Sequence, residues 1–208
     1  QHDDFSSACR RFYIEKTKAR VDAFVKANQH SDDDILINGS YVRSASKMLS
    51  EIEIEYPELL LSQPTKFHGD FVLDNILRTN SGYIGIDWRQ EFGGSLEAGD
   101  PYYDLAKLSH SLVLGHEVLL NGQFDLEFGE NEIWIDVLRK ESFVLAQNEL
   151  RDFCNHYGFS ESKIRILRAL IWLNMSALHP HPIDSFLFFW GRLSLHSEMY
   201  ALDDAQAS

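Results

Sequence analysis

From Tyr102 to His179 the chain contains no proline, and this stretch limits the available folds more than any other feature. Proline breaks a helix interior because it lacks an N–H and clashes with the preceding turn, so its absence permits long helices. The five prolines punctuate the rest: Pro57 and Pro64 precede one segment, Pro101 opens the long stretch, and Pro180 and Pro182 close it. Apolar spacing then predicts helices over about 103–120, 131–157, 160–178 and 183–202, with Gly158 at a helix C-cap. Near the start, Phe5, Cys9, Phe12, Val21, Phe24 and Val25 recur at helical spacing and predict a helix over 5–28. A solvated polar loop containing Asp32, Asp33 and Asp34 is expected next, followed by a helix over about 42–56.

The segment from Thr65 to Trp88 differs. Phe71-Val72-Leu73, Ile76-Leu77 and Tyr83-Ile84-Gly85-Ile86 are short β-prone runs, and Asn80-Ser81-Gly82 is a hairpin-type turn. The expected fold class is α+β and mostly helical, one unit over 1–208, with a small β-hairpin at about 65–90.

Charge and cysteine usage narrow the function. The formal net charge is −13, from 19 basic and 32 acidic residues, and the acidity is spread evenly along the chain. Such a surface repels phosphate backbones, and no localised basic patch offsets it, so nucleic acid is excluded as a partner. Cys9 and Cys154 lie far apart outside any CxxC pattern, which excludes a disulfide scaffold or cysteine-rich zinc site. They are expected to be inert packing. No apolar run approaches the ~18 residues of a membrane span. Gln1-His2-Asp3-Asp4 is not a secretory leader, so a cytoplasmic protein is expected. The missing initiator Met marks the chain as an expected piece of a longer one.

The chemistry concentrates in His68-Gly69-Asp70-Phe71-Val72-Leu73-Asp74-Asn75, followed by Ile86-Asp87-Trp88 and then Gly99-Asp100-Pro101-Tyr102-Tyr103-Asp104-Leu105-Ala106. Two antiparallel strands turning at Asn80–Gly82 bring Asn75 and Asp87 together across the hairpin mouth. An amide oxygen and a carboxylate are hard donors, suited to Mg²⁺ that retains water and phosphate oxygens. Asp70 beside them is placed to accept a proton from a hydroxyl nucleophile. Phosphoryl transfer from ATP needs those parts.

The ordered motifs HGD-x₄-N, IDW and GDP-x₂-DLA resemble the aminoglycoside phosphotransferase and choline kinase superfamily, small-molecule kinases with a protein-kinase-like fold. The resemblance implies Asp70 as catalytic base and Asn75 and Asp87 as Mg²⁺ ligands. It further implies that His68 stabilises the catalytic loop and that Asp104 ties the next helix to it. The strict match runs from His68 to Leu108. Transfer of the ATP γ-phosphate to a small hydroxyl acceptor is the implied activity, with an amino sugar, a choline-like compound or another sugar as acceptor. The family's nucleotide-clamping N-terminal lobe has no counterpart ahead of Asp70. None of the eight lysines lies in a Val-Ala-Ile-Lys-like strand, and Gly93, Gly94 and Gly99 follow Asp87. The chain is therefore expected to be the C-terminal lobe alone, binding ATP poorly or not at all in this form.

The stretch Arg89–Ala98 is longer than the family's usual connection, making Arg89 and Glu91 candidate acceptor-binding residues. Overall acidity tilts the expected acceptor towards a cation. Trp134, Trp172, Trp190, Phe186, Phe188 and Phe189 are expected mainly in the core, with an aromatic cage for a cation as the rarer outcome. Asp100, before Pro101, is expected to be an N-cap. His179 and His181 are expected in an exposed turn, not in a metal site with His196. Two rival functions remain: a kinase-like binding or regulatory module without catalysis, and a metal-dependent hydrolase using the same carboxylates.

Overall fold

The structure, a computed structural model, describes residues 2–206; Gln1 of the opening tetrapeptide lies outside them. The chain is α+β and mostly helical. It opens with α1 (His2–Arg10), a wide π-helical turn (Arg11–Glu15) and α2 (Lys16–Asn28), one continuous helical path. Then come β1 (Ile35–Ile37), β2 (Ser40–Val42) and α3 (Ala45–Glu55). The hairpin β3 (Ile76–Thr79) and β4 (Gly82–Gly85) precedes α4 (Pro101–Val113) and α5 (His116–Leu120). Strands β5 (Phe124–Phe128) and β6 (Glu132–Val137) lead into α6 (Glu141–Tyr157), α7 (Glu161–Ser176) and α8 (Ile183–Gln206). No described helix is long and apolar enough to cross a membrane.

Helix α7 is the centre of the packing. Ile164, Ile166, Leu167, Ala169, Leu170, Ile171, Trp172 and Leu173 are all buried, so the helix is apolar on most sides and meets α2, α4, α6 and α8 around it. Phe186, Phe188 and Phe189 of α8 close the same core. At its start, Ser160 accepts a hydrogen bond from the Lys163 N–H, and Gly158 ends α6 at φ +74°, a conformation glycine adopts without steric cost.

The run Phe71–Leu73 forms no strand but leads into a 3-10 turn (Leu73–Asn75), and the helix expected over 103–120 breaks at Leu114–Gly115. Two further regions differ more from the sequence expectations. Residues 131–137 are not helical: β6 alternates buried Ile133, Ile135 and Val137 with exposed Trp134 and Asp136. That period of two belongs to a strand with one covered face, and it turns Trp134 outward, away from the core. The loop expected before the third helix contains the hairpin β1–β2, turned by Asn38 and Gly39 at φ +50° and +75°. Positive φ at both central residues is the Asn-Gly hairpin geometry. Strand β1 also pairs in parallel with β6, giving a four-stranded sheet in the order β2-β1-β6-β5.

The aspartates of that loop are employed, not merely solvated. Asp32 accepts from the Ala45 and Ser46 N–H groups, and Asp34 from the Ser44 N–H, all at the start of α3. The fully buried Arg192 of α8 donates to the Asp33 carbonyl and holds the loop against the core.

The second sheet is β3–β4 alone, with Leu77 opposite Ile84 and Ile76 opposite Gly85. Its apolar side chains are poorly covered: Leu77, Tyr83, Ile84, Ile86 and Trp88 are all exposed.

Candidate functional site

The loop before β3 is built by α4. Asp100 caps the helix by accepting from the Tyr102 N–H, and Pro101 occupies the first turn, where a missing N–H costs nothing. The buried Asp100 carboxylate also accepts from Tyr13 Oη at 2.7 Å and Ser62 Oγ at 2.6 Å, joining α4 to the first helical path. One turn on, Asp104 accepts from the backbone N–H groups of His68 at 2.6 Å and Gly69 at 2.8 Å. Burial pushes the Asp104 carboxyl pKa up, against the two N–H donors that favour its charged form. Gly69 sits at φ +79°, and a Cβ there would come within 2.5 Å of Arg89 Cβ, so this crossing requires glycine. His68 is buried, with its ring 4.6 Å from that of Trp88 and its Nδ1 accepting from the Asp70 N–H.

Asp70 emerges from this loop between two cations. Lys107 Nζ lies 2.7 Å from one carboxylate oxygen, and an Arg89 guanidinium nitrogen lies 2.7 Å from the other. Burial alone would raise the Asp70 pKa; Lys107 and Arg89 outweigh it and hold the carboxyl below its ordinary range. Lys107 occurs one turn after Asp104 on α4, so a single helix face supports the loop backbone and clamps its carboxylate.

Asp70 opens into a cavity of about 310 Å³ between that loop, α2, α4 and α7. Arg89 and Glu91 line it from the segment after β4, and Lys16 and Arg20 from α2. Phe12, Tyr13 and Tyr103 supply its aromatic wall. The π-helical turn carries the first two of these, in keeping with the tendency of such turns to occur at functional sites. Neither Lys16 nor Arg20 makes an ion pair among the described residues. Burial pushes the Lys16 pKa down, and the neighbouring Arg20, Lys107 and Arg89 push it further the same way. None of the six aromatics expected in the core or a cation cage lines this space. Trp172, Phe186, Phe188 and Phe189 are buried, Trp190 packs against the same core, and Trp134 faces outward.

Asn75 and Asp87 lie at the base of the hairpin. The Ile86 N–H donates to the Asn75 carbonyl at 2.9 Å, which sets Asp87 one residue beyond the last rung. Asp87 has φ +58°, in the left-handed region that Asp and Asn tolerate better than most residues. Asn75 Nδ2 donates to the Asp70 carbonyl at 2.9 Å, so its Nδ2 side is fixed and its oxygen has no hydrogen-bond partner among the described residues. The exposed Asp87 carboxylate likewise makes no hydrogen bond or ion pair there. Both are hard oxygen donors of the kind Mg²⁺ takes alongside water and phosphate. No cluster of three or more His, Cys, Asp or Glu among the described residues could hold an ion by itself.

The motifs and the resemblance they carry point to Asp70, Asn75, Asp87, His68 and Asp104, and the long stretch after Trp88 to Arg89 and Glu91. Asp70, Arg89 and Glu91 border one cavity; His68, Asp104, Asn75 and Asp87 do not line it, Asp104 holding the His68 and Gly69 N–H groups and Asn75 the Asp70 carbonyl. Sequence reasoning missed Lys107, Lys16, Arg20, Tyr13 and Tyr103. Only Lys107 left a local signal, its spacing of three from Asp104 on a helix. No protein-family model, curated protein or solved structure matches the chain.

Proposed function

We propose that this chain supplies the acceptor-binding and metal-binding lobe of an ATP-dependent small-molecule kinase, transferring the γ-phosphate to a hydroxyl. The observation that carries the reading is the Asp70–Asn75 link. One residue offers its carboxylate to a ligand-sized cavity, and its own carbonyl anchors the amide of a hard-oxygen pair. An acceptor hydroxyl and a nucleotide phosphate could thus be addressed from either side of a single loop. The sequence resemblance to the aminoglycoside and choline kinase superfamily supports the same reading.

Asp70 would orient the acceptor hydroxyl by accepting its hydrogen bond. Its lowered pKa makes it a weak base, which suits a loose phosphoryl-transfer transition state in which the hydroxyl proton leaves late. Lys107 and Arg89 restrain the carboxylate, so that its free lone pairs face the cavity in a fixed direction. Mg²⁺ on Asn75 and Asp87 would neutralise charge on the transferring phosphate. The exposed apolar ribbon beside them, Leu77, Ile84 and Ile86, offers a surface for a purine face.

The cavity changes the acceptor preference drawn from overall charge. Lys16, Arg20, Arg89 and Lys107 outnumber Asp70 and Glu91, so a quaternary amine would meet repulsion. A neutral sugar or an acidic hydroxyl compound fits better.

The test is ³¹P NMR of the protein with ATP and Mg²⁺ in the presence of sugars, sugar acids, amino sugars and choline. A new phosphomonoester signal that requires both Mg²⁺ and an acceptor supports the kinase. Phosphate release without an acceptor would identify a hydrolase instead, and acceptor binding with no Mg²⁺-dependent NMR shift at Asn75 or Asp87 would favour a binding module.

A further inference from the structure

A second cavity lies along a neighbouring face of α7 and shares no lining residue with the first. Leu167, Leu170 and Asn174 face the Asp70 side, whereas Arg165 and Arg168 face this one, so α7 separates the two. The volume is about 280 Å³, bounded by α4, α6, α7 and the segment before α6. Its lining is unusual for a chain of net charge −13. Four of the eleven arginines converge here, Arg139, Arg151, Arg165 and Arg168, against a single lining carboxylate, Glu161.

That carboxylate is already engaged. Arg165 takes Glu161 at 2.7 Å and Glu198 at 2.7 Å, leaving the other three arginines without an acidic partner among the described residues. Among the described residues Arg139 reaches only the Gln147 amide oxygen, at 3.3 Å, and Arg151 makes no ion pair. Arg168 is the least satisfied. One of its nitrogens donates to Ser109 Oγ at 3.1 Å, and the guanidinium lies 5.2 Å from the Trp172 ring centre. Its Nε is shut off from solvent with no hydrogen-bond partner. Burial lowers its pKa to about 10; Glu198 opposes this, and Arg165 and Arg139 add to it. Buried cations are ordinarily paired, because removing a charge from water is costly without compensation. Here the compensation is partial: the Arg168 Nε stays unpaired, and the exposed Arg139 and Arg151 beside it border the open cavity.

We propose that this cleft is a binding site for a small phosphorylated compound, its phosphate held by Arg168 with Arg151 and Arg139. Guanidinium donors form a planar fork matched to phosphate oxygens and bind them in paired, charge-assisted hydrogen bonds. The volume exceeds a phosphate alone and leaves room for a sugar-sized body against Val144, Leu150 and Ile164. The site does not depend on the phosphotransfer reading, because none of its residues borders Asp70 in the first cavity.

The test is calorimetric titration of the protein with inorganic phosphate, ribose 5-phosphate and citrate at constant ionic strength, with ¹⁵N chemical shifts to locate each. Saturable binding of ribose 5-phosphate, with shifts on α6 and α7, is expected. Phosphate is expected to bind more weakly at the same residues. Arg151→Ala, whose side chain is exposed and unpaired, should weaken binding about tenfold, roughly the worth of one charge-assisted hydrogen bond. Arg168→Met should weaken it at least as much. Saturation by neither phosphate compound, shifts confined to the Asp70 cavity, equal or tighter binding of citrate, or unchanged affinity in Arg151→Ala would each overturn the proposal.

Discussion

Lys107 Nζ lies 2.7 Å from an Asp70 carboxylate oxygen, with only 13% of the lysine side chain and 15% of the aspartate side chain exposed. The pair joins α4 to the loop that carries the candidate chemistry. It is less screened than a surface contact, and it fixes the state of the Asp70 carboxylate, which with Glu91 lines the first cavity.

Replacing Lys107 with Met removes the main cation acting on Asp70 while leaving Arg89. Burial then opposes a single neighbour, and the Asp70 pKa should rise. Carboxyl ¹³C titration by NMR would detect the change; an unaltered pKa would show that Lys107 does not set it.

Stability should follow the same carboxylate in acid. The Asp70 pKa in the folded chain lies below its ordinary value of 3.8. Its ion pairs therefore contribute stability that is fully present above that value and is lost as pH falls through the folded pKa. Asp70→Asn should melt below the parent protein at neutral pH, with the gap closing as pH drops under about 3.8. A gap constant down to strong acid would contradict the charge argument.

Asp104→Ala leaves the His68 and Gly69 N–H groups without their acceptor beneath a buried loop. Two unsatisfied donors predict a loss of about 2–4 kcal/mol in urea unfolding. Asp104→Asn retains one acceptor oxygen and should lose less. Equal losses would argue that the loop does not depend on these bonds.

Asp87→Asn separates function from folding. The side chain is exposed and unpaired, and Asn tolerates the positive φ of this position, where Ala would add backbone strain. The melting temperature should stay unchanged while any Mg²⁺-dependent nucleotide binding or turnover falls sharply. Undiminished Mg²⁺-dependent turnover in this variant would remove Asp87 from the site.

What could be read from the residues alone was local. The elements around His68, Asp100 and Asp104 carry their own punctuation: glycine at a crossing, an Asp-Pro helix start, and a carboxylate one turn later. The helices after Ser160 follow from continuous apolar spacing. The strand β6 escaped because the absence of proline permits a helix without requiring one; Ile133, Ile135 and Val137 alternate and belong to a strand. The β1–β2 hairpin escaped although Asn38-Gly39 marks it, because the aspartates just before it read as a loop. Lys16 and Arg20 of α2, and Tyr13 of the π-helical turn before it, reach the cavity only because this helical path packs on α7, a contact between distant segments that no local pattern records. The polarity of the cavity was hidden for the same reason, since overall acidity averages over the surface and says nothing of one lining.

The β3–β4 ribbon has no third strand and buries little of its own surface. Paired ribbons of this size hold together weakly in water without a packing partner. Its amides should trade protons with solvent sooner than those of α7, and Asn75 and Asp87 should gain rigidity once a nucleotide or neighbouring surface covers the ribbon.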